Sequence, residues 1–159
     1  MRPLTEQEIR GAFVNCSKGE AKRLNVPRDL AQQPWEDLDY LGWHDPKAPE
    51  RAYLVAELDG RLTGLALRAP APVARGRSMC SICVTTHSGG VSLVVAPKAG
   101  KAGKQGDTVG TYLCGDLACS LYVRGKRDSG EPNRETLGVE ERSRRIVVNL
   151  SAFVARVTG

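Results

Sequence analysis

Aromatic residues are scarce in this 159-residue chain: two Phe, two Trp and four Tyr make up 5% of it. A core with so few rings must be built from Leu, Val and Ala. Long apolar runs are also missing. No stretch approaches the roughly 20 residues that a membrane helix needs, and the N-terminus MRPLTEQEIR lacks the apolar segment of a secretory signal. Histidine occurs only twice, the H-x-E signature of zinc deaminases is absent, and no nucleophile–base–orienter set is legible. The five cysteines are an odd number, which argues against a disulfide framework. The expectation is a cytoplasmic, monomeric, non-enzymatic protein with reduced thiols, free to hold metal.

The length suits one domain, or one domain with an appended lobe. The net charge of +5 is uneven. Residues 1–69 carry 10 Lys/Arg against 11 Asp/Glu, whereas residues 70–159 carry 13 against 7. Any charge-driven attraction is therefore expected in the second half.

Thr5 and Glu8 have capping-box spacing, as do Ser17 and Glu20. The first opens a predicted helix over 6–14, with Leu4, Ile9, Ala12 and Phe13 on one face. The second opens a short helix that ends before Pro27. Residues 29–50 read as irregular, punctuated by Pro34, Pro46 and Pro49 and pinned to the core by Trp35, Leu38, Tyr40, Leu41 and Trp43. Asp59-Gly60 between two apolar runs, 51–58 and 61–68, predicts a β-hairpin with a two-residue turn. Ala69-Pro70-Ala71-Pro72 is a stiff junction. It separates residues 1–70, the helices and hairpin packed in the same domain, from a module at 71–159. In that module 91–97 and 108–113 read as strands, with Lys98, Lys101 and Lys104 in a mobile basic loop between them. Residues 127–138 are polar, and from Val139 the positions Arg142, Ile146, Leu150, Phe153, Val154 and Val157 form the stripe of a closing helix.

Cys80-Ser81-Ile82-Cys83 is a C-x2-C pair, and Cys114 and Cys119 form a C-x4-C pair 30 residues later. Zinc takes four thiolates at tetrahedral corners, and each pair supplies one edge. The order is knuckle, hairpin, then ligands at a helix start, which is the layout of a treble-clef zinc finger. The fold class is therefore α+β: an antiparallel sheet, short N-terminal helices and a C-terminal treble clef. One structural Zn2+ is expected, since four cysteines leave no open position for catalysis. A redox role for Cys80 and Cys83 lacks the surrounding βαβ pattern. Cys16 reads as a buried small residue; a nucleophilic role requires His44 or His87 beside it. His44-Asp45 suits a loop cap as well as half of a dyad, and His87 is a spare polar contact.

Asn15-Cys16-Ser17-Lys18-Gly19-Glu20, Leu41-Gly42-Trp43-His44-Asp45-Pro46, the Cys80–Cys83 knuckle and Tyr112-Leu113-Cys114 together resemble the elongation factor G-binding family. This is the FBP treble-clef domain related to FusB-type fusidic-acid resistance proteins. The resemblance runs from about residue 3 to residue 157. It implies a four-cysteine zinc domain that binds translation elongation factor G on or near the ribosome, with Ile82 and Tyr112 in the contact surface. The resistance proteins place an aromatic inside the knuckle and a lysine three residues before the tyrosine. Here Ile82 and Val109 stand in those places. In this reading Lys98, Lys101 and Lys104 steer the partner electrostatically. The alternative is a ribosome-associated RNA-binding zinc module, in which Arg124, Lys126, Arg127, Arg142, Arg144 and Arg145 neutralise phosphates of ribosomal RNA.

Overall fold

The computed structural model describes residues 1–72 and 76–159. Helix α1 spans Glu6–Gly11 and α2 spans Lys18–Arg23, and both begin with the expected reciprocal caps. The Thr5 and Ser17 amides donate to Glu8 and Glu20 at 2.8 and 2.7 Å, while the Glu8 and Glu20 amides donate back to the hydroxyls. Helix α1 is shorter than the predicted 6–14. Beyond Gly11 the chain is captured by Gly64: the Gly64 amide donates to Ala12 O at 2.9 Å, and the Val14 amide donates to Gly64 O at 3.0 Å. A Cβ at Gly64 would lie 3.3 Å from the backbone of Ala12 and Phe13, so glycine permits this close approach.

The main sheet is antiparallel, with strands β1 (Leu41–Asp45), β2 (Ala48–Leu58), β3 (Arg61–Arg68), β6 (Val91–Pro97) and β7 (Thr108–Cys114) in the order β1-β2-β3-β6-β7. Strand β1 lies within the stretch expected to be irregular. Leu41, Trp43 and Asp45 alternate inward in register with β2, which overrides the flanking prolines. Asp59 and Gly60 both have positive φ, 49° and 73°, as the two-residue turn requires. The sheet continues across residue 70, where Arg68 of β3 pairs with Val95 of β6. A second, two-stranded ladder, β4 (Arg77–Met79) with β5 (Thr86–Ser88), carries the knuckle between its strands.

Strand β2 is buried on both faces. Leu54 and Ala56 pack into a core with Leu65, Val94, Leu113 and the metal-site cysteines, while Tyr53 and Val55 pack into one with Ile9, Trp35, Leu41 and Trp43. Helix α5 (Val139–Thr158) seals the first core with Ile146, Leu150, Phe153 and Val157, a single stripe at helical spacing. Helices α1 and α2 and two 3-10 turns, Leu30–Gln32 and Trp35–Asp37, contribute to the second. Both tryptophans anchor it by donating indole N–H bonds, Trp35 to Leu30 O at 2.8 Å and Trp43 to Asn25 O at 2.7 Å. The basic stretch after β6 holds a short helix, α3 (Gly100–Lys104), in place of the expected loop. It is tied down where the Ala99 amide donates to Val157 O and the Lys98 amide donates to Asp107 O.

Candidate metal centre

The first ligand pair stands on the turn that joins β4 to β5. Within it the Ile82 and Cys83 amides point at Cys80 Sγ, at 3.4 and 3.5 Å. Val84 closes the turn at φ 61°, a costly conformation for a β-branched residue. The second pair stands where β7 ends and helix α4 (Cys119–Val123) begins. There Leu117 also takes a positive φ, 59°, and its side chain lies where a Cβ on Gly42 would be, 2.7 Å away. Each ligand loop thus contains one bulky residue in the left-handed region. Such strain costs about 1–3 kcal/mol and persists only where the surroundings hold it.

All four sulfur atoms lie within 4.8 Å of one another, and all four cysteines are buried. Cys80 and Cys119 are 3.6 Å apart, and Cys83 and Cys114 are 3.5 Å apart. A tetrahedral ion with Zn–S bonds of about 2.3 Å needs sulfur–sulfur edges of about 3.8 Å, so the donor set fits zinc. Electrostatics point the same way. Burial, followed by hydrogen bonds to Cys114 and Cys80, pushes the Cys119 thiol well up, while hydrogen bonds from Cys114 and Cys119 pull the Cys83 thiol down. Four such thiols ionise together only around a cation. Four thiolates around Zn2+ leave two net negative charges buried, and the Ile82 and Cys83 amides supply donors against them. Zinc bound here cross-links the knuckle to the β7–α4 junction and has no open coordination position.

Sequence reasoning left His87 as a spare polar contact without linking it to a ligand, and it missed the rest of the outer layer. His87 is 2% exposed, and its Nε2 lies 3.2 Å from Cys114 Sγ, so with its proton on Nε2 it donates to that ligand. The ring packs edge-on against Tyr122 at 4.6 Å. A Cβ on Gly90 would come within 2.7 Å of His87 Nδ1, so this position must lack a side chain. From α5, Asn149 Nδ2 donates to Ile82 O and Arg145 Nη2 donates to Cys83 O, both at 2.9 Å. The closing helix thereby grips the knuckle backbone directly.

The residues expected to meet a partner do not form one patch. Ile82 is only 2% exposed and lies in the core shared with α5, so its side chain has no surface to offer; that expectation is corrected. Tyr112 is 54% exposed, and its cross-strand neighbour Leu93 is 47% exposed. The Ser81 amide donates to Tyr112 O at 2.8 Å, which places this pair beside the knuckle. Lys98, Lys101 and Lys104 sit beyond the other end of the β6–β7 hairpin, where Pro97 pairs with Thr108. At about 3.4 Å per residue, that end is more than 10 Å along the strand from Tyr112. Cys16 is half-buried, and burial together with the Glu20 charge raises its thiol pKa. Neither histidine serves it as a base. His44 faces Pro49 O at 2.8 Å and Gly115 O at 2.6 Å through its two ring nitrogens, and His87 faces Cys114.

Residues 8–157 match the profile of the FBP C-terminal treble-clef zinc-finger family. The chain belongs to that family. No individual curated protein matches it. Membership agrees with the geometry: the four sulfur ligands, the hairpin between the pairs and the helix after the second pair are the parts that a treble clef requires. Among the described residues no helix is long and apolar enough to cross a membrane.

Proposed function

We propose that this chain is a cytoplasmic, non-enzymatic adaptor whose zinc module docks on translation elongation factor G on or near the ribosome. The observation that carries the reading is the exposed Tyr112–Leu93 pair, held rigidly beside a closed metal site. A large aromatic on a stiff β-ladder loses little entropy on binding, and such residues dominate interface energetics. Met79, 54% exposed at the end of β4, adds apolar area near the same knuckle. The closed four-sulfur site supports a structural role for the metal, with the binding face as its product.

Calorimetric titration of the zinc-loaded chain, a monomer in this reading, against purified elongation factor G tests the proposal. Saturable one-to-one binding is expected, weakened at least about tenfold by Tyr112→Ala. Replacing Lys98, Lys101 and Lys104 together should mainly slow association and flatten its salt dependence. A complex that disappears on nuclease treatment would replace this reading with ribosomal RNA binding.

A further inference from the structure

A second site lies in the N-terminal half, away from the metal. Helix α2, the β1–β2 turn and the ends of β2, β3 and β6 surround a cleft of about 600 Å³. That is within the range of small-molecule sites, roughly 300–1,000 Å³. Four cations line it: Arg23, Lys47, Arg51 and Arg68. None of them makes an ion pair or a side-chain hydrogen bond among the described residues.

Arg51 and Arg68 stand directly opposite each other on β2 and β3. Like charges in that position destabilise a sheet, and neither guanidinium is ion-paired among the described residues, so an anion placed between them would relieve the repulsion. The two carboxylates of the cleft offset only part of this charge. Glu20 holds the α2 cap by accepting from the Ser17 amide, and its charge reaches Arg23 and Arg51 only at longer range, with no ion pair to either among the described residues. Asp45 is buried, which works against its charge, yet hydrogen bonds from the Lys47 and Ala48 amides, Asn25 and Tyr53 keep its pKa low. It is an ionised group with its acceptors occupied. The lining therefore carries two net positive charges, while residues 1–69 as a whole carry one net negative charge.

Asn15 fixes the floor. Its side-chain amide donates to Ala66 O and Pro97 O at 2.9 and 3.0 Å, and its oxygen accepts from the Ala66 amide at 2.8 Å. With every Asn15 bond satisfied inside the protein, β3 and β6 are locked together beneath the cations. Planar guanidinium groups on a rigid floor suit the paired oxygens of phosphate.

We propose that this cleft binds a small phosphorylated molecule bearing at least two anionic groups, one held between Arg51 and Arg68 and the other by Arg23 and Lys47. The site is concave and shares no lining residue with the Tyr112 surface, so it stands or falls independently of elongation factor G.

Inorganic pyrophosphate is the probe, titrated into the zinc-loaded chain at low salt and followed by amide chemical shifts and by melting temperature. Saturable binding is expected, with the largest shifts at Cys16, Arg51 and Arg68 and a rise in melting temperature. Arg51→Gln and Arg68→Gln should each weaken it by about tenfold to a hundredfold. Arg68→Gln should melt no lower than the parent without ligand, because it relieves the facing pair. Lys101→Gln and Lys104→Gln, outside the cleft, should bind as the parent does. No saturable shift at 10 mM pyrophosphate (about the ceiling of meaningful affinity,) would overturn the proposal. So would equal weakening by the Lys101 and Lys104 variants, or shifts centred on another surface. A single-stranded RNA that shifts those arginines while pyrophosphate does not would also overturn it.

Discussion

The two halves of the molecule use positive charge in opposite ways. Residues 70–159 hold the larger excess of Lys and Arg, yet the structure consumes much of it internally. Arg127 pairs with Asp116 at 2.6 Å, Arg77 with Glu131 at 3.5 Å, and Arg142 and Arg145 share Glu135 at 2.8 and 2.7 Å. Lys126 and Arg124 reach back to Asp37 and Asp39 of the N-terminal half, at 2.5 and 2.8 Å. Residues 1–69 have no excess of cations, but around one cleft Arg23, Lys47, Arg51 and Arg68 make no ion pair among the described residues. The sum of charges over a segment therefore does not locate the charge that is free to meet a ligand. The paired cations of the second half lend their acidic partners order, its Lys98, Lys101 and Lys104 make no ion pair among the described residues, and those around the cleft are likewise without one.

The largest way to break this comparison is to remove the metal. If ion pairs alone organised the second half, Cys114→Ser or chelation would leave it standing. The sulfur cluster is instead the joint on which the knuckle and α4 meet α5, and metal binding energy is folding energy in such modules. The melting temperature should fall by more than about 10 °C, with one zinc per chain lost from elemental analysis. A melting curve that ignores chelation would assign the stability to the ion pairs.

A medium effect sharpens it through Glu135. Hydrogen bonding from Arg145 draws its carboxyl below the ordinary value of 4.5, against a smaller opposing effect of burial. A depressed folded pKa gives stability that is present above about pH 4.5 and lost as pH falls through the folded value. Glu135→Gln should therefore cost about 1–2 kcal/mol at pH 7. Part of that cost arises because Arg142, 7% exposed in its side chain, loses its countercharge. The gap between variant and parent should close in acid, as chemical unfolding at pH 7 and pH 3 would show. A gap that persists at low pH would make the contact one of packing.

Much of the metal centre was legible in the sequence because it depends on local spacing. The C-x2-C and C-x4-C pairs, the two capping boxes and Asp59-Gly60 each lie within a few residues, and the α5 stripe repeats at the helical period. What was not legible is set at long range. Ile82 looks like an exposed knuckle tip until Asn149, 67 residues on, bonds its carbonyl and α5 covers it. Strand β1 is five residues among prolines, and only pairing with β2 makes it a strand. The ion pairs join residues as far apart as Asp39 and Arg124, 85 positions, which no local pattern reports. Likewise the cleft is assembled from α2, the β1–β2 turn and three strand ends, and its cations are scattered singly along the chain.

The smallest effect is the most specific to the comparison. Arg68→Glu would place an opposite charge directly across from Arg51 and give the N-terminal half the paired arrangement of the other half. Cross-strand pairs of opposite charge contribute about 0.2–1 kcal/mol, and the like-charge penalty is lifted as well. The variant should gain about 0.5–1 kcal/mol by denaturant unfolding at low salt, shrinking in 1 M salt (where screening acts within about 3 Å,). A gain that survives high salt would come from packing against Val95 across the ladder. A loss would mean that Arg68 already has a favourable place in the folded chain without any anion, and the two halves would then differ less than their ion pairs suggest.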